Sequence, residues 1–198
     1  MAPGGVISMS NVKGTALGGF KSFVAAQHGA AGVDRWLECL RPEDAARVGG
    51  IVLPHIWYPV SLWNSLVDRY VALYGAGHPQ CFRSVAHAIA DEDMQRFFTV
   101  LLKAASPETV LHRSSSLWER YFDEGRLEAV PVAARRFSVR LTASRLLDRA
   151  PGPVTCAVGL PAWQERIMAR IGVKESRTSH TRCRFRGAKA CEFEVTWS

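Results

Sequence analysis

The feature of this sequence that most constrains its fold is a change in hydrophobic periodicity near residue 125. Between residues 15 and 116, apolar side chains recur every three or four positions, which is typical of amphipathic helices. Between 127 and 141 they alternate with polar side chains, which predicts two strands joined near 133–136. A further helical stretch, 160–171, precedes a second pair of extended segments that turns around a glycine. We therefore expect an α+β fold, in which an N-terminal helical bundle packs on a four-stranded antiparallel sheet made of two strand pairs separated by a helix.

Length and composition predict a single domain. The chain has 198 residues, 47% of them hydrophobic, and no linker divides it into parts of contrasting composition. We assign residues 1–14 to a flexible N-terminal segment and 15–198 to the domain. The first residues lack the cationic and apolar stretches of a secretory signal, so we expect a cytoplasmic protein. The longest stretch without an acidic or basic side chain, 49–67, contains two prolines and an asparagine, so we expect no membrane span.

The basic surplus of the chain permits acidic partners without identifying one. Lys and Arg total 25 against 18 Asp and Glu, which gives a formal net charge of +7. Many arginines fall in the two strand pairs, where they would form a solvated basic face. The sequence has neither the aromatic runs of an RNA-binding sheet nor a helix-turn-helix pattern, so we expect no nucleic-acid partner. It also lacks the local signatures of the common catalytic classes, which favours a non-enzymatic function.

Three of the five cysteines lie in the last part of the chain, together with a histidine. Cys183 and Cys191 occupy the two arms of the predicted C-terminal hairpin, His180 precedes Cys183 by three positions, and Cys156 begins the preceding helix. Three cysteines and a histidine are one of the ligand sets that zinc accepts. His180 and Cys183 face the same side of a strand only if a bulge separates them. The alternative is that the cysteines are small buried apolar residues and His180 is a surface residue.

The C-terminal residues also carry a resemblance to known families. Residues 183–193, with the sequence CRFRGAKACEF, and the closing Trp197 resemble the ending of 4-vinyl-reductase-type sensor domains, which bind small molecules. Those domains form one superfamily with haem-NO-binding and TRAPP-type trafficking domains. The Trp-Tyr-Pro step at 57–59, Ser106-Pro107 and residues 117–125 resemble more closely a myxobacterial paralogous family with no assigned activity. The resemblance extends over about 17–197.

The resemblance implies a metal site and a function. In aromatic-sensing domains of this type, zinc is held by a cysteine at the preceding helix, an acidic residue and two cysteines around the final hairpin. The corresponding positions here are Cys156, His180, Cys183 and Cys191, with a histidine where the family uses a carboxylate. We therefore expect a ligand-binding sensory or regulatory domain with a structural zinc ion near its C-terminus.

The expected ligand is a small apolar or aromatic molecule held between the helices and the sheet. Five aromatic residues are candidates for the lining of that pocket, chosen for their aromatic character: Trp57, Tyr58, Phe97, Phe98 and Trp118.

Two alternatives follow from other branches of the superfamily. A TRAPP-like scaffold would form a homodimer through its helices, or bind a signalling partner, and would need no small-molecule ligand. A haem-based gas sensor would use His112 as proximal ligand and Arg145 for the haem propionates. The tyrosine and serine that accompany this arginine in haem-NO-binding domains are replaced here by Leu141 and Ala143.

Overall fold

The computed structural model describes residues 10–95, 106–144 and 147–198, and it confirms the α+β class. The helices of the described residues are α1 (Gly14–Glu38), α2 (Pro42–Gly49), α3 (Val60–Tyr74), α4 (Phe82–Asp93), α5 (Pro107–His112), α6 (Ser114–Trp118) and α7 (Leu160–Arg170). The strands are β1 (Asn11–Lys13), β2 (Trp57–Pro59), β3 (Arg126–Ala133), β4 (Arg136–Thr142), β5 (Ser176–Arg182) and β6 (Cys191–Trp197). A single π-helical turn, Thr155–Gly159, leads into α7.

The N-terminal residues form part of the domain from residue 10 onward. Asn11–Lys13 pairs antiparallel with Trp57–Pro59, and Val12 is fully buried. The Asn11 side chain and backbone N–H both donate hydrogen bonds to Asp123, each at 2.6 Å. Of the segment 1–14 that was expected to be flexible, residues 10–14 are thus held in place, because strand pairing and burial of Val12 fix them. Residues 1–9 lie outside the described part of the chain.

The main sheet consists of the two predicted strand pairs, joined side by side. Its strand order is β3-β4-β6-β5 and every neighbouring pair is antiparallel, so β4 pairs with β6 across the two hairpins. Alternate residues of these central strands are buried because strand side chains point to opposite faces in turn. The buried set comprises Phe137, Val139, Leu141, Cys191, Phe193 and Val195.

The helices and the buried face of the sheet share one hydrophobic core. Phe20 of α1 lies at its aromatic centre, with ring centroids 4.6 Å from Trp36 and 5.5 Å from Phe82. The indole of Trp36 donates a hydrogen bond of 3.0 Å to the Leu66 carbonyl, so its polar atom is satisfied inside the core. Helix α1 is broken at Gly29, whose φ of 71° is accessible to glycine at little cost.

Helix α5 begins at a serine cap that is followed by a proline. The Ser106 hydroxyl accepts a hydrogen bond from the Thr109 N–H at 3.2 Å, and Pro107 occupies the first helical turn. The helical stretch then continues as α6 after a break at Arg113.

Candidate metal centre and apolar cavity

His180, Cys183 and Cys191 converge at one end of the main sheet. The β5–β6 register shifts between His180 and Arg182, which inserts one extra residue into β5. This bulge reverses the alternation of side chains, so His180 and Cys183 come to the same side. A ring nitrogen of His180 and the two sulfurs all lie within 4.8 Å of one another. The bulge that His180 and Cys183 need in order to face the same side of the strand is therefore present.

Cys156 reaches the same cluster from the helix side. It lies in the π-helical turn, is 1% exposed, and its sulfur lies 3.7 Å from the Pro151 carbonyl. Its thiol also interacts with Cys191 through a hydrogen bond that alters the pKa values of both groups. Cys191 thus connects Cys156 to the group formed by His180 and Cys183.

The electrostatics of the cluster place its negative charge on Cys191. The hydrogen bond from Cys156 is the main reason why the pKa of Cys191 falls to about 3, with further contributions from His180 and from the backbone and side chain of Arg184 that together outweigh burial. The same hydrogen bond, and then burial, raise the pKa of Cys156 well above its ordinary value. Burial is the first cause of the raised pKa of Cys183.

An apolar cavity of about 70 Å³ lies against the π-helical turn that contains Cys156. Its described lining residues are Ala16, Trp63, Phe82, Ala86, Ile89, Leu117, Trp118, Tyr121, Phe122, Leu127, Thr155, Gly159, Leu160 and Trp163. Four of the polar side-chain atoms among them bond in pairs, since Trp63 Nε1 donates to Thr155 Oγ1 at 3.0 Å and Trp163 Nε1 donates to the Tyr121 hydroxyl at 3.2 Å. The cavity therefore presents a hydrocarbon and aromatic surface.

The predicted pocket residues divide into three groups. Trp118 lines the cavity, and its indole donates to the Glu124 carbonyl at 2.9 Å. Trp57 and Tyr58 lie on β2, away from the cavity lining; Trp57 is 40% exposed, and the Lys13 ammonium lies 4.8 Å from its ring centroid. Phe97 and Phe98 lie outside the described residues.

The sequence reasoning missed most of the cavity lining. Trp163 was visible on the apolar stripe of the predicted helix 160–171, and Trp63 on the stripe of α3. Nothing in those local patterns indicated that the two indoles would face a common space. Aromatic residues on the apolar faces of helices indicate the cavity lining better than the Trp-Tyr-Pro step at 57–59 does.

The described residues do not fit a haem group. The cavity is far smaller than the several hundred cubic ångströms typical of cofactor sites, and none of the six histidines belongs to its described lining. His112 is exposed at the end of α5, where its ring meets Phe137 edge-on at a centroid distance of 5.3 Å. Arg145 lies outside the described residues.

Comparison with known proteins identifies the fold. No protein-family model and no curated protein sequence matches the chain. An H-NOX protein from S. oneidensis in the Fe(II)NO ligation state superposes with a TM-score of 0.73 at 13% identity, over 94% of this chain and 99% of that chain. H-NOX structures from K. algicida and T. tengcongensis give TM-scores of 0.69 and 0.68 at 13% and 12% identity, over 94% of this chain and 96% and 97% of theirs. The expected likeness to haem-NO-binding domains is confirmed for the fold, whereas the closer resemblance to a myxobacterial family finds no support in these comparisons.

The described helices differ from membrane-spanning helices. None of them combines the length and the apolarity that crossing a membrane requires.

Proposed function

We propose that this chain is a ligand-binding sensory domain that holds Zn²⁺ on Cys156, His180, Cys183 and Cys191 and takes a small apolar molecule into the neighbouring cavity. The observation that carries the proposal is the convergence of His180, Cys183 and Cys191, which come from two strands and the turn between them. Cysteine and histidine ligands without a carboxylate are typical of structural zinc sites.

The state of His180 supports a metal ligand at this position. Its Nε2 atom is buried and has no hydrogen-bond partner, although a buried polar atom without a partner costs about 1–3 kcal/mol. The ring stacks on Phe193 with a centroid distance of 4.6 Å and an interplanar angle of 16°, so its orientation is already fixed. A metal ion in the cluster would bind an imidazole that the fold has oriented in advance.

The π-helical turn joins the proposed metal site to the proposed ligand site. Cys156 belongs to the cluster, while Thr155 and Gly159 of the same turn line the cavity. π-Helical turns occur frequently at functional sites. A ligand in the cavity would therefore contact the same turn that supplies a metal ligand.

The cavity favours the sensory function over a scaffold. A scaffold needs a filled core and an exposed apolar surface, whereas a sensor needs internal space.

The structure also has exposed apolar side chains between α2 and β2, of which Ile51 is 88% and Leu53 46% exposed. Pairing of two copies of the chain, or docking of a signalling protein, is a further part of the proposal.

Metal analysis of purified protein tests the proposed site. We expect one Zn²⁺ per chain under reducing conditions, and loss of the metal in Cys191→Ser. The matched control is Cys39→Ser, because Cys39 is exposed at the end of α1 and far from the cluster in sequence. A zinc content near zero in the wild-type protein, or unchanged zinc in Cys191→Ser, would contradict the proposal.

A haem-based gas sensor is the second candidate, and the fold likeness to H-NOX proteins favours it. The small cavity and the exposed position of His112 oppose it. We expect no Soret band after expression with a haem supply. A Soret band that disappears in His112→Ala would support the haem candidate instead.

A further inference from the structure

We propose that Arg184 is a positioning residue for the metal cluster, whose guanidinium neutralises a zinc complex with three thiolate ligands. This inference rests on the proposed zinc site and goes beyond it, because it specifies the charge of the complex. It assigns a role to a side chain that touches the ligands without being one of them.

Arg184 is a buried charge that no acidic side chain of the described residues balances. The residue is 6% exposed, and its Nη1 atom donates a hydrogen bond of 2.8 Å to the Ser144 carbonyl. Its Nε and Nη2 atoms are buried without a hydrogen-bond partner. No ion pair involves Arg184 within the described ranges, whereas the nearby Glu192 pairs with Arg182 at 3.4 Å. A buried charge is expensive unless it is paired, so a negative group is expected beside this guanidinium.

The fold leads the Arg184 side chain past the cluster. Arg184 follows Cys183 directly and begins the 3-10 turn Arg184–Arg186 between β5 and β6. From there its side chain reaches Ser144, just beyond the end of β4. Cys191 is paired with Leu141 of β4. The guanidinium therefore extends from Cys183 toward β4, the strand that flanks Cys191. The interaction of Arg184 with Cys191 noted above agrees with this path.

The charge of the metal complex matches that of Arg184. A divalent ion bound to three thiolates and a neutral imidazole carries a net charge of −1, which one guanidinium neutralises. A complex with two thiolates would be neutral and would leave Arg184 uncompensated. Arg184 therefore favours the form in which Cys156, Cys183 and Cys191 are all ionised and all bind the metal.

The test compares Arg184→Gln with Arg184→Lys and with a matched control, Arg186→Gln. Arg186 lies in the same turn and its charge also acts on Cys183, but its side chain is exposed, so solvent screens that charge. Zn²⁺ affinity is measured by competition with a chromophoric chelator. We expect Arg184→Gln to bind Zn²⁺ about 10–100-fold more weakly, as is usual when an outer-shell partner of a metal ligand is lost. Arg184→Lys should recover part of the loss because it restores the charge, and Arg186→Gln should bind like the wild type.

Equal affinity in Arg184→Gln and wild type, or an equal loss in Arg186→Gln, would overturn the role of Arg184 while leaving the zinc site intact. A wild-type protein that binds no Zn²⁺ would overturn the proposed site and this inference together. Co²⁺ substitution of the wild type gives a second test that needs no variant to fold. The sulfur-to-cobalt absorption should have the intensity of three thiolate ligands, and an intensity corresponding to two would overturn the charge match.

Discussion

At the scale of single residues, the absence of a Cβ at Gly159 allows close packing beside the cavity. A Cβ at this position would lie 2.9 Å from Cε1 of Phe82, which is itself 1% exposed and in the aromatic centre of the core. We expect Gly159→Ala to lower the free energy of unfolding by about 1–3 kcal/mol, because the rigid ring must shift. Gly18 in α1 is the matched control, since a Cβ there meets nothing within 4 Å.

Urea unfolding of both alanine variants checks this expectation. Gly18→Ala should raise the free energy of unfolding by about 0.5–1 kcal/mol through the better helix propensity of alanine. If both substitutions stabilise the protein, the Phe82 ring moves aside at little cost in free energy, and the expectation for Gly159→Ala is wrong.

The position of His180 was predicted only in part from the sequence. The sequence supplied the ligand types and the condition that a bulge must separate His180 from Cys183. The structure provides that bulge at Thr181, where β5 has one residue more than β6. Side-chain alternation along a strand follows from local geometry and can be predicted from the sequence. A bulge depends on the register with which β5 pairs with β6, which the local sequence does not determine.

At the scale of elements, a pair of arginines on α7 fixes its contact with α4. Arg166 donates two hydrogen bonds to the Asp91 carboxylate, at 2.8 and 2.7 Å, and Arg170 donates a third at 2.6 Å. Burial by itself would raise the pKa of Asp91, but the hydrogen bonds from Arg166 and Arg170 outweigh it, so the pKa is lowered.

A lowered pKa in the folded state means that the ionised form of Asp91 stabilises the fold. That stabilisation is complete well above the unfolded-state pKa of about 3.9, and it is lost as the pH falls through the lower folded-state value. Asp91→Asn should therefore cost roughly 1 kcal/mol at pH 7, and the difference from wild type should vanish in strong acid. Unfolding of the metal-free protein across this range checks the sign, with Glu175→Gln as an exposed control. A difference that persists at low pH would assign the effect to packing.

Both strand pairs were predicted from alternation and turn residues, and the structure contains both. Strands β5 and β6 are shorter than the extended segments 173–185 and 189–197 that the sequence indicates. The β1–β2 pair was not predicted. Its strands have only three residues each, too few for a periodic pattern, and they pair across a separation of more than 40 positions. Short strands of this kind are fixed by their partner and by burial of Val12.

At the scale of the whole molecule, the cavity exists only because distant elements meet. Ala16 of α1, Ala86 of α4 and Leu127 of β3 all contribute to its wall. An apolar space of this size is expected to take up a small apolar atom such as xenon. We expect Ala86→Val to abolish xenon binding, since two added methyl groups fill part of the space, and Ala72→Val to leave it unchanged because Ala72 is exposed on α3.

Xenon NMR of the wild type and the two variants measures this effect. Equal binding by the wild type and Ala86→Val would place the xenon site elsewhere and remove the support for a ligand in this cavity.

The sequence by itself determined the fold class, the two hairpins and the identity of four candidate metal ligands. These features follow from local periodicity, turn residues and residue chemistry, all of which act over a few positions. Only the tertiary structure decided that His180, Cys183 and Cys191 converge, that Trp118 lines a cavity which Trp57 and Tyr58 do not reach, and that Arg184 is buried. Those outcomes depend on packing between segments far apart in the chain, which no local pattern encodes.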